Sequence, residues 1–386
     1  MSYIDKSSQW SVTAESTYGV TPAIDVVADY VEMINPSIDA STEMVDREVL
    51  KNSLVKAQSL LGKETTSGSM EVEFSSAVGT EGSKVVNGDL LYTAGIGKRI
   101  GDVVATAGTI ASGVITFTSA GDADSYEVGQ AVALTGGANP EFAVVRSIDA
   151  GVSMTVAPVP ADDSTSFGGM VSFIINRPEE AQTTLTLQEY LEGTNRIEYT
   201  YNGVVVSDVS VSYPVAGIVK ANFSVAGAGF GIEADGVDGG VVADRDPVCA
   251  DFAPYVGKNM TFSYDGTSYD IESLEVKVSS EVYDTEALTT AGLTNKTVTG
   301  KSEVGVTFAR EFADTELFNI YQNGTAGELF GQVSNATSSA IVYAPKVVLV
   351  EASKSVDSGV YKEALSATCL SDGCLGNETA ISIGFQ

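Results

Sequence analysis

The chain is 386 residues long, which allows two or three domains, each able to bury a core. Aspartate and glutamate number 51 against 21 lysine and arginine, a formal charge of −30; such a surface repels phosphates and disfavours adhesion to nucleic acid, although solubility alone accounts for the same charge. Histidine is absent, which removes the commonest general base, transition-metal ligand and pH switch together and argues against hydrolase or metalloenzyme chemistry.

From the start, Met1 to Trp10 offers neither a basic stretch nor an apolar one, and no run of about 18 apolar residues follows. The expectation is a protein with no membrane-spanning helix, made in the cytoplasm. With 39 glycines and many Val and Thr in short alternating runs, the chain reads as all-β. Strands are expected at Ser69 to Phe74, Ile115 to Thr118, Val204 to Tyr213, Leu274 to Val278 and Val347 to Val350. In Val209-Ser210-Val211-Ser212-Tyr213 every second residue is apolar, so one face is buried and the other wet. Short helical clusters are predicted at Leu90 to Ala94, capped by Asn87-Gly88-Asp89, and at Glu316 to Gln322, capped by Asp314. The region 101–173 has its own strand-and-turn rhythm and reads as a small β-barrel or Ig-like domain inserted at a loop tip. The residues 234–258, rich in Asp and Gly, read as a linker.

Around the insert the chain reads as one β-rich unit present twice. Ser69 to Phe74 matches Ser302 to Phe308, Leu90 to Gly95 matches Leu317 to Tyr321, and Gly217 to Ser224 matches Gly359 to Ser366 without a gap. Asn35 to Asp39 corresponds loosely to Ser273 to Val276, each leading into a polar arm. Such arms suit a hairpin or loop that orders against a neighbouring subunit. The expected organisation is a first unit in 1–100 and 174–233, an insert in 101–173, a linker in 234–258 and a second unit in 259–386.

Candidate chemistry is sparse. Asp235, Asp238, Asp244 and Asp246 lack the spacing of a calcium loop, and Asp122-Ala123-Asp124-Ser125-Tyr126-Glu127 is no stronger. Gly227-Ala228-Gly229-Phe230-Gly231 mimics a nucleotide fingerprint but opens no helix. Cys369 and Cys374 are close enough for a hairpin disulfide, but with Cys249 left over free thiols are expected, and zinc lacks a fourth ligand. Trp10 reads as an anchor for the N-terminal segment. Glu71, Glu73 and Glu303 fall on alternating strands that place carboxylates either toward a channel or on a solvated outer face. No catalytic, cofactor-binding or metal residue is assigned, and no enzyme activity is expected.

Glu15-Ser-Thr-Tyr18-Gly19-Val-Thr-Pro22 resembles the Glu-x-x-Tyr-Gly-x-x-Pro segment frequent in the tail tube (major tail) proteins of long, non-contractile-tailed bacteriophages. Asp46-Arg-Glu-Val49 followed by Gly68-Ser-Met-Glu-Val-Glu-Phe74 resembles that family's arm and first inner strand, and Ala380 to Gln386 its closing strand. The resemblance covers most of the chain outside the insert. It implies tandem β-sandwich units with short flanking helices, joined side by side into rings around a lumen. Stacked rings would form a virion tail tube through which double-stranded DNA passes without specific binding. A duplicated chain departs from the single-copy pattern and favours three chains per ring with pseudo-six-fold symmetry, six being the alternative. The partners implied are copies of the chain and tape measure, terminator and distal tail proteins. A surface adhesin of tandem Ig-like domains is the rival reading, and an insert on the tube's outer surface is expected because a domain in the lumen would obstruct DNA.

Overall fold

The computed structural model describes residues 8–25, 29–45, 60–77, 86–137, 141–161, 164–175, 183–192, 196–234, 242, 252–289, 292–335, 338–357, 359–371 and 380–386. Among them the chain is almost entirely β, with two eight-residue α-helices, α1 (Asp89–Ile96) and α2 (Glu316–Asn323). The first half begins with β1 (Ser8–Ala14), β2 (Tyr30–Val31), β3 (Met33–Val45), β4 (Leu60–Glu73) and β5 (Ser75–Ala77), then α1 and β6 (Lys98–Ile100). Next come β7 (Val103–Ala111), β8 (Val114–Phe117), β9 (Ala131–Thr135), β10 (Glu141–Asp149), β11 (Ser153–Ala157) and β12 (Ser166–Gly169), which close into a barrel. The first half resumes with β13 (Val171–Ile174), β14 (Leu185–Leu191), β15 (Ile197–Pro214), β16 (Lys220–Gly227), β17 (Gly229–Ala234) and β18 (Phe252–Pro254). The second half holds β19 (Met260–Tyr264), β20 (Thr267–Ser268), β21 (Ser273–Thr289), β22 (Gly292–Glu311), α2, β23 (Ala326–Ser334), β24 (Ser339–Asp357), β25 (Val360–Cys369) and β26 (Ser382–Phe385).

One continuous antiparallel sheet runs through both halves in the order β3-β4-β16-β15-β21-β22-β25-β24. Its two four-strand blocks have the same order. Behind each block lies a flanking sheet: β2-β1-β14-β15-β17 in the first half and β20-β19-β23-β24-β26 in the second. The long strands β15 and β24 serve both layers, and each carries a register shift where it passes from one to the other, at Val206/Asp208 and Leu349/Glu351. Two further irregularities coincide: Thr42/Met44 in β3 with Ser280/Val282 in β21, and Leu185/Leu187 in β14 with Gly327/Leu329 in β23. Bulges interrupt a ladder at a cost and re-aim a strand, so three shared positions mark one backbone plan used twice.

The pairings correct one of the sequence correspondences. Lys220 opposes Glu73 and Lys362 opposes Glu311, so Gly217 to Ser224 does fall on Gly359 to Ser366. But Phe223 opposes Met70 and Leu365 opposes Phe308, which places Met70, not Phe74, on Phe308. Phe74 falls on Phe312 instead; their N–H groups donate to Val219 and Tyr361 at the same 2.9 Å. An alternating strand matches itself at any even slip, and a slip of four leaves every side chain on its own face.

The predicted helical clusters are α1 and α2. Asp314 does receive the Glu316 N–H at 3.0 Å. Asn87 does not cap α1: its side chain exchanges two hydrogen bonds with the Glu32 backbone, and Gly88, at φ 80°, precedes the helix. The Glu15 carboxylate accepts from the Gly19 and Gly203 N–H groups and the Thr186 hydroxyl, pinning the segment after β1 to β14 and β15. Both of those glycines are left-handed, at φ 69° and 64°.

The alternating strands bury one apolar core that runs through both halves, from Val12, Met70 and Phe74 to Phe308, Leu365 and Phe385. The barrel has its own core around Phe117, Leu134, Met154 and Phe167. It is inserted between α1 and β14 yet docks on the second half. Ala131, Phe142, Val144 and Met170 pack on Ile341 and Tyr343, and the Arg146 guanidinium donates to the Tyr343 hydroxyl at 2.6 Å. Beside the barrel, β6 and β13 extend the second half's flanking sheet through β26. Thus Val171–Ile174 belongs to that sheet and the barrel strands end at Gly169.

Candidate assembly interface

The continuous sheet has two ends. Among the described residues β3 pairs only with β4, and Glu351 to Ser355 of β24 pairs only with β25. Each end presents a row of backbone donors and acceptors, the surface on which another strand is most readily added. How such an addition is made is visible inside the chain. The corresponding edge of the first block, β15, takes β21 of the second block in unbroken register from Asp208↔Ser279 to Pro214↔Ser273. Val209, Val211 and Tyr213 are buried there beside Val276, Val278 and Leu274. On the wet side the Ser279 hydroxyl donates to Asp208 at 2.5 Å, and the Lys277 ammonium lies 3.4 Å from the same carboxylate.

The face of the sheet turned from the core is strongly acidic. Alternation puts Glu71 and Glu73 of β4 there, with Asp208, Glu275, Glu303, Glu311 and Glu351, against Lys220, Lys277, Lys301 and Lys362. Lys220 reaches Glu71 at 2.8 Å, while Glu303 is exposed with Lys301 at 3.5 Å. The Glu73 carboxyl is held above its ordinary range, first by partial burial and then by the neighbouring Glu32, with Lys220 pulling the other way. Glu71, Glu73 and Glu303 therefore share one surface.

The remaining candidates have structural employment. The Asp124 carboxylate accepts the Gly151 N–H at 2.7 Å, and Glu127 pairs with Lys98 at 2.5 Å. Gly227 and Gly229 flank the turn between β16 and β17, where a side chain on Gly227 would crowd Val204. The Cys369 thiol is free, and burial pushes its pKa up to about 12. Trp10 is buried and stacks on Tyr201 with ring centroids 6.4 Å apart. Cys249, Cys374, Asp235, Asp238, Asp244, Asp246 and the arm around Asp46 to Val49 lie outside the described residues.

The sequence reading missed a buried ion pair. Arg310 Nε lies 3.2 Å from the Glu363 carboxylate, both nearly inaccessible, and Arg310 also reaches Asp314 at 3.1 Å. The guanidinium lies over the Tyr269 ring, 5.0 Å from its centroid.

In comparisons with known proteins, the family model described as phage tail tube protein matches residues 6–369. No curated protein matches the chain.

Proposed function

Because the chain belongs to the phage tail tube protein family, a family of structural components of the virion tail, we propose that it closes with copies of itself into rings that stack as the tube. The observation that carries this reading is the β15–β21 junction: two blocks of like strand order are already joined edge to edge, and the same two kinds of edge are left over at the ends of the sheet. Repeating that junction between chains continues the sheet and removes its exposed edges. The two halves are then tandem homologous units, the first interrupted by the barrel of 102–169 and joined to the second by 234–258. Three chains give a ring of six units, with six chains as the alternative.

In this reading the acidic face lines the channel. Carboxylates such as Glu71, Glu73 and Glu303 repel DNA phosphates, so the duplex moves past without being held. The barrel, docked on a flanking sheet, stands on the outside. Tape measure, terminator and distal tail proteins are its partners at the tube's core and ends, and the chain catalyses no reaction. Negative-stain microscopy and mass measurement of the purified protein test the reading. Tubes or rings with the mass of three chains are the expected result; a monodisperse monomer under conditions that assemble tails overturns it.

A further inference from the structure

The two halves diverge at one apolar spot. In the first, Tyr213 at the end of β15 and Val219 before β16 are 3% and 0% exposed. The shared register places Val356 and Tyr361 at the corresponding positions of the second half, where they are 61% and 64% exposed. Phe74, fully buried, likewise corresponds to a half-buried Phe312. Isolated apolar side chains on a surface need no explanation, but this cluster is fully covered in one half, whereas in the other Val356 and Tyr361 are exposed and Phe312 is shielded by the Lys354 ammonium, 4.0 Å from its ring centroid.

What covers it in the first half is the segment leading into β19. The Tyr255 N–H donates to the Phe74 carbonyl at 3.1 Å, and its own carbonyl accepts the Val219 N–H at 2.9 Å. Its ring lies 5.8 Å from that of Phe74, and Val256 bridges Ile218. The strand that follows, β19, has its counterpart in β1: Ser8 opposes Leu191 on β14 as Met260 opposes Val333 on β23. Counted back from β1 as Tyr255 and Val256 stand before β19, the corresponding residues are Tyr3 and Ile4. A tyrosine followed by a β-branched residue recurs at the same offset.

Topology says whose segment is needed. Within the chain, the half that adds its β21 to β15 also supplies the covering segment. If chains pair by the same rule, the copy that adds its β3 to β24 brings its own residues before β1. We propose that Met1 to Ser7 of one copy is a peg that packs over Phe312, Val356 and Tyr361 of the neighbouring copy, with Tyr3 in the place of Tyr255 and Ile4 beside Val360. This rests on the ring reading and adds to it a second contact, made by a segment that is not part of the continuous sheet.

Two cysteine pairs separate the claims, since facing residues of antiparallel strands are close enough for a disulfide. Ala40→Cys with Ala352→Cys reports the strand edges, because Val278 faces Val209 at the internal junction. Ile4→Cys with Val360→Cys reports the peg. In assembled tubes, mild oxidation is expected to give reductant-sensitive ladders of linked chains for both pairs and for none of the four single variants. Linkage at 40/352 without linkage at 4/360 overturns the peg and leaves the ring standing. Assembled tubes with neither linkage overturn both. As a check that needs no cysteine, Tyr3→Ser and Tyr361→Ser should each lower the assembled fraction by on the order of tenfold at fixed concentration, as loss of a buried aromatic anchor does. Unchanged assembly in both overturns the peg.

Discussion

Arg310 and Glu363 pose a question that the other half of the chain answers. Register places Val72 and Ala221 at their counterparts, both buried and both apolar. An ion pair held in a dry site gains little over well-packed apolar residues, whereas one of its members left alone keeps an uncompensated charge. Arg310→Val or Glu363→Ala alone should therefore cost about 3–5 kcal/mol, read as a shift in the urea midpoint. The double substitution, which writes the first half's solution into the second, should recover most of that loss. Asp314 gives a pH-dependent counterpart. Its carboxyl sits below the ordinary range, first because the Glu316 N–H donates to it and then because of Arg310. A lowered folded pKa means stabilisation that is present above the unfolded value and lost as pH falls through the folded one. Asp314→Ala should cost about 1 kcal/mol at neutral pH, the worth of a helix cap, because the side chain is half exposed and its ion pair is screened. The difference from wild type should fade in melts run below pH 3.8, the ordinary value of an aspartate carboxyl.

Elements rather than residues decide how the barrel is held. Gly384 on β26 faces the barrel so closely that a Cβ there would overlap the Ala131 side chain, so Gly384→Val should pry β9 from the flanking sheet. Hydrogen exchange should then quicken in β9 and β10 and leave β21 and β22 unchanged; uniform quickening would mean that the whole core had loosened instead. The barrel was legible beforehand because turn glycines and alternating runs are local signals, and so was the match of Gly217 to Ser224 with Gly359 to Ser366, in which a glycine, a lysine and a serine fall in register. The slip at Ser69 to Phe74 had the opposite cause, since a strand of period two carries no information about even shifts. The surface Glu71, Glu73 and Glu303 share was half legible: alternation gave the face of each strand, but only pairing between distant strands, such as Asp208 with Ser279 71 positions on, shows that the faces are one. Edges are illegible for the same reason, because an edge is defined by the strand that is not there. Arg310 is in phase with Val304, Val306 and Phe308 on the buried face of β22, but nothing local in the sequence points to its partner, which lies 53 positions on in another strand.

At the scale of the molecule, the barrel's position makes it removable. Ile100 and Ser172 are facing partners of the β6–β13 pair, so Gly101 and Met170 can be joined by a short turn once residues 102–169 are gone. The barrel's core is separate from the main one, and its docking contacts lie on the first part of β24, around Ile341 and Tyr343, away from the edge at Glu351 to Ser355. A chain without the barrel should therefore fold and keep the continuous sheet intact. It should melt earlier, because Ile341 and Tyr343 become exposed, each worth about 1.5–3 kcal/mol when buried; Tyr343→Lys in the shortened chain, by wetting that face, should restore solubility without restoring the melting temperature. Tubes should still form, thinner in outline and unchanged in bore. A folded but monomeric product would instead place the barrel among the contacts that join neighbouring subunits, and would shift the search for ring and stacking surfaces from the sheet edges to the exposed side of β7 and β8.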